Sequence, residues 1–171
     1  ITFSGVTGTI VLTSGEIVIN KNLIIEGPGE NLLAISGNNS SRIFNIPNSA
    51  AITVGIKKLK ITKGFAANFA SGGGIVNGNA AIISLSNMIF LENSAYAGGA
   101  LINDGKAILT NVVFSKNNNY GSPGGGGGAV LTGTSANETS SFTNVVFSEN
   151  TTGGTGGAVV VNGRPANFIN C

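Results

Sequence analysis

Three stretches of this chain can be laid over one another without a gap. Ile83-Ser84-Leu85-Ser86-Asn87-Met88-Ile89-Phe90 lies over Ala107-Ile108-Leu109-Thr110-Asn111-Val112-Val113-Phe114, and that over Ser140-Ser141-Phe142-Thr143-Asn144-Val145-Val146-Phe147. A shortened copy, Ala166-Asn167-Phe168-Ile169-Asn170-Cys171, closes the sequence. An earlier one, Val54 to Ile61, carries Lys58 in the Asn place. With Ile56, Leu85, Leu109, Phe142 and Phe168 taken as equivalent, the steps are 29, 24, 33 and 26 residues. Strand text that hardly changes while its connections stretch is what a solenoid coil requires, with fixed strands and variable corners.

The copies are strands rather than helices. Ile83 and Leu85 point one way and Ser84 and Ser86 the other, a period of two. Two further motifs alternate between the copies. A glycine pair precedes a small and then an aliphatic residue at Gly98-Gly99-Ala100-Leu101, Gly127-Gly128-Ala129-Val130 and Gly156-Gly157-Ala158-Val159, with Gly72-Gly73-Gly74-Ile75 as a variant. Phe-x-x-Asn recurs at Phe90 to Asn93, Phe114 to Asn117 and Phe147 to Asn150. The expectation is an all-β parallel β-helix (solenoid) of roughly five to six coils in one domain, 1–171. Residues 1–71 form less regular N-terminal coils, and 72–171 carry the alternating motifs. Stacked at one strand spacing, Phe90, Phe114 and Phe147 form an internal aromatic column. Asn87, Asn111, Asn144 and Asn170 share a corner register, where side-chain amides can bond along the column and tolerate a left-handed backbone.

Composition narrows the function. Charged residues make up 9% of the chain and the net charge is +2, too little for a phosphate-binding face. With no His, His-based acid–base and metal chemistry is excluded. One Asp, Asp104, and six scattered Glu offer no carboxylate pair on one strand face, so a glycosidase or calcium-dependent lyase is disfavoured. Thr132, Thr134, Thr151, Thr152 and Thr155 sit in loops and not in one rank, against ice binding. No catalytic residue, cofactor or metal site is expected. No apolar run is long enough for a helical membrane span.

The Gly-Gly-Ala-aliphatic and Phe-x-x-Asn motifs resemble those of chlamydial polymorphic membrane proteins, which are autotransported surface adhesins. The opening, Gly8 to Glu16 and Lys21 to Gly29, is similar to large secreted bacterial proteins built on right-handed β-helix repeats. The resemblance implies a right-handed parallel β-helix and an extracellular or cell-surface structural module, adhesive through its long loops Tyr120 to Gly128 and Thr132 to Thr139. It also implies an N-terminal Ser-Leu-Arg-(Gln/Glu)-Ala-Ile cap, which does not precede Ile1-Thr2-Phe3 here; the chain reads as processed or as a fragment. Strand-like text at both ends, Ile1, Thr2 and Phe3 with Phe168 and Cys171, raises end-to-end self-association as the alternative. Cys171, in the column of Met88, Val112 and Val145, is expected to face inward. Lys57, Lys58, Lys60 and Lys63 form the charge cluster, with Lys58 and Lys60 projecting outward, and Tyr120 opens the longest loop. These residues are the candidate contacts for a surface ligand or a neighbouring subunit.

Overall fold

The computed structural model describes residues 1–48, 51–121, 126–133, 139–163 and 165–171. They form seventeen strands and no helix, wound into a parallel β-solenoid of about five turns. One face carries β1 (Gly8–Val11), β3 (Leu23–Glu26), β4 (Leu33–Ser36), β6 (Thr53–Thr62), β8 (Ile82–Leu91), β11 (Lys106–Ser115), β14 (Ser140–Ser148) and β17 (Ala166–Ile169). A second face carries β2 (Ile17–Val18), β5 (Phe44–Ile46), β7 (Ile75–Asn77), β10 (Leu101–Asn103), β13 (Val130–Thr132) and β16 (Val159–Val161). A short third face consists of β9 (Ser94–Ala95), β12 (Asn118–Asn119) and β15 (Thr151–Thr152).

Every ladder is parallel, and the registers follow the sequence copies. Leu85 pairs with Ile56 and Leu109, Leu109 with Phe142, and Phe142 with Phe168. The inward residues of the first face, Val54, Ile56, Ile83, Leu85, Ala107, Leu109 and Phe142, are all buried. Phe90 stacks on Phe114 at 4.7 Å between ring centroids, and Phe114 on Phe147 at 5.3 Å. Phe147 is half-buried and packs against the core. A second stack, Phe142 on Phe168 at 4.7 Å, lies on the same strands.

The N-terminal irregularity has one cause. Both β3 and β4 pair with β6: Leu23 to Glu26 lie along Val54 to Lys57, and Ala34 to Ser36 along Lys60 to Thr62. Seven residues, Gly27 to Leu33, span a register gap that Lys58 and Leu59 cross in the next coil. The coil is the same, with its corner stretched.

Glycine marks the opposite corner. Gly72, Gly98, Gly127 and Gly156, the first of each pair, have φ of 67°, 55°, 72° and 67°. Their partners serve a different need, close approach: a Cβ on Gly99 would stand 2.3 Å from the Gly128 carbonyl oxygen.

Candidate functional site

Two corners bracket the end of each long strand. The first falls inside the strand. Asn87, Asn111, Asn144 and Asn170 have φ between 52° and 55°, and at Asn87 and Asn111 the corner falls within a single ten-residue strand that bends there. Lys58, in the same register, has φ 57°. The Asn side chains are linked, and all but the half-buried Asn87 are exposed: Asn111 Nδ2 donates to Asn87 Oδ1 (3.1 Å), Asn144 to Asn111 (3.0 Å) and Asn170 to Asn144 (3.3 Å).

The second corner follows the strand. Lys63, Glu92, Lys116 and Glu149 adopt φ of 52° to 57°. They occupy one register with alternating charge, and Lys116 Nζ lies 3.8 Å from Glu149. The next residue is the Asn of Phe-x-x-Asn, and it turns inward. Asn117 makes all four bonds its amide allows: Oδ1 accepts from Asn93 N (3.0 Å) and Asn93 Nδ2 (2.9 Å), and Nδ2 donates to Asn150 Oδ1 (3.0 Å) and the Phe90 carbonyl (3.1 Å). Asn93 and Asn150 repeat the pattern toward Ile61 and Phe114. This ladder satisfies backbone groups that leave one sheet before joining the next. A third buried polar column joins Asn77, Asn103 and Thr132, with Asn77 Nδ2 donating to Asn103 Oδ1 (2.6 Å) and Asn103 Nδ2 to Thr132 Oγ1 (2.8 Å). The sequence signal for it is a fixed offset, two residues after the aliphatic of the first three glycine motifs; Val161 stands there after the fourth.

The lysine cluster divides. Lys57 and Lys58 both reach Glu26 on the preceding coil, at 3.0 and 2.9 Å. These contacts, Lys58 first, hold the Glu26 carboxyl below its usual range. Lys60 is half-buried beside a shallow hollow with Gly8, Thr9 and Glu30, and Lys63 belongs to the alternating column. A groove of about 580 Å³ crosses the outer first face, floored by Gly55, Ser84 and Ser86 and walled by Ile24 and Lys57.

Tyr120 does not stand alone. In the third-face register it overlies Tyr96, one 24-residue step earlier. Its hydroxyl donates to the Ala66 carbonyl at 2.6 Å, two coils away, which lays the ring lengthwise beside Phe65 (5.9 Å) and Tyr96 (6.3 Å). Phe69 meets Tyr96 at 5.3 Å. Phe65, Phe69 and Tyr96 were not singled out by sequence; the only linear clue was that Tyr96 and Tyr120 are one coil step apart.

At the ends, Thr2 bridges to Glu26, Phe3 packs against the core, and Ile1 is exposed. Phe168 is 42% exposed. Cys171 does not face a closed interior as expected: it is exposed, with Sγ 3.4 Å from the Phe142 and Ile169 carbonyl oxygens. Of the expected contact loops, residues 122–125 and 134–138, Thr134 among them, lie outside the described residues. Among the described residues no three His, Cys, Asp or Glu side chains gather as a metal site. No family model, curated protein or solved structure matches the chain.

Proposed function

We propose that this chain is a non-enzymatic module of a secreted or surface-displayed bacterial protein, a right-handed β-helix of the polymorphic-membrane-protein type. In this reading its repeats serve as a stiff spacer and its corners make adhesive contacts. The observation that carries the reading is how the recurring polar residues are used. The Asn93–Asn117–Asn150 amides bond to one another and to the backbone, so the repeats are committed to structure. Contacts with a partner then fall to what interrupts the repeats. Purified chain on beads, offered to bacterial and animal cells, is expected to be retained by one of them. Retention by neither, or turnover of a polysaccharide by the chain, overturns the reading.

A further inference from the structure

We infer that Phe69, Tyr96 and Tyr120 form a stacking ledge for a neutral saccharide, an inference that rests on the adhesive reading and names its ligand class. The protein has two tyrosines, and both lie here, in one register. Tyr120 is 40% exposed, and its hydroxyl is pinned to the Ala66 carbonyl, so its ring position is set before any ligand arrives.

Phe69 is the more telling residue. It is 80% exposed and has φ 61°, directly after Asn68 at φ 55°. A bulky side chain in the left-handed region is strained, and here the strain gains no burial. Strain of that kind, in an exposed aromatic set edge-on to Tyr96 at 71°, is a feature of contact surfaces.

The surroundings select the ligand. Beside the rings runs the column Ser94, Asn118 and Thr151, joined by Asn118 Nδ2 to Ser94 Oγ (3.3 Å) and Thr151 Oγ1 to Asn118 Oδ1 (2.9 Å). It offers hydroxyls and amides without charge. The nearest charged column, Lys63, Glu92, Lys116 and Glu149, alternates and sums to zero, so it gives no net field to draw an anion. Three rings cover far less than the roughly 800 Å² per side of a stable protein interface. A pyranose presents an apolar C–H face to an aromatic ring and hydroxyls at its rim, which match this ledge and its polar border.

Affinity electrophoresis of the purified chain tests this, with a β-glucan, a mannan and a galactan in separate gels and a polyuronate as the charged counterpart. At least one neutral polysaccharide is expected to retard the chain. Phe69→Ala and Tyr96→Ala should each weaken retardation tenfold or more, Phe69→Tyr should keep it, and Lys21→Ala, at an exposed position away from the rings, should not alter it. Thermal melting of Phe69→Ala should match the parent, since the side chain is exposed. Retardation by the polyuronate alone, by no polysaccharide, or undiminished in Phe69→Ala overturns the ledge. Cell retention that survives Phe69→Ala overturns the ledge and leaves the adhesive reading standing; loss of all cell retention by the parent overturns that reading instead.

Discussion

Asn111 and Asn117 lie six residues apart on the same coil, and both stack on asparagines of neighbouring coils. Their amides nevertheless do different work. Asn111 is exposed, has φ 55°, and gives and takes one bond along its column. Asn117 is fully buried, has an ordinary φ, and spends every donor and acceptor on its neighbours and on backbone otherwise left unpaired. The outer column is selected by backbone conformation, since Asn is the side chain that best tolerates the left-handed region. The inner one is selected by hydrogen-bond geometry. A repeated Asn therefore reports stacking, while its burial decides the energetic stake.

The largest expected effect is on the inner column. Asn117→Ala strands the buried Asn93 N–H, at about 1–3 kcal/mol, and removes three further amide bonds, at about 0.5–1.5 kcal/mol each, so the loss is about 3–5 kcal/mol in urea unfolding. Next is an attempt to lengthen that column. Gly64 holds the Asn place in the preceding coil, and its N–H already donates to Asn93 Oδ1 (2.9 Å). A Cβ there would meet the Gly73 carbonyl oxygen at 2.1 Å, so Gly64→Asn is expected to cost about 2–3 kcal/mol. On the outer column, Asn111→Ala should cost about 1 kcal/mol and Asn111→Gly close to nothing, because glycine accepts φ 55° without strain. Equal losses for Asn111→Gly and Asn117→Ala would erase the distinction between the columns. Lys58→Asn should add one rung to the outer ladder and raise stability by about 0.5 kcal/mol, net of its ion pair with Glu26.

The smallest effect is acid sensitivity. The depressed Glu26 group contributes stability that is present above its ordinary value of 4.5 and lost as pH falls through its lowered one. Asp104, pushed upward by burial, acts in the opposite sense: the fold gains as pH falls through its raised value toward 3.8. Lys58→Asn removes the leading cause of the Glu26 shift. The variant should therefore lose less stability than the parent between neutral pH and about pH 3, a difference readable from urea midpoints.

Much of the fold was legible because a stacked coil repeats its chemistry at each rung. Aligning Ile56, Leu85, Leu109, Phe142 and Phe168 yields the observed pairing, and Lys58, aligned with asparagines, adopts their backbone. The candidate site was legible only at Tyr120. Its ring reaches a carbonyl 54 residues away in sequence, and Phe69 joins through a turn that belongs to no repeat. The exposure of Cys171 also escaped the alignment, since a column position implies burial only where another coil lies beyond it.

The sequence by itself determined the coil: its period, its inward residues, its glycine corners and the amide register. Each of these depends on a residue's own backbone preference or on the identity of its counterpart one step away, and both can be read from linear spacing. Only the tertiary structure decided which asparagines are buried, that β3 and β4 share one rung across a stretched corner, and that four aromatic residues from three coils share one surface. Those outcomes depend on how far side chains reach between coils and on what lies above and below them. Solvent exclusion is set by the assembled stack and not by any single rung.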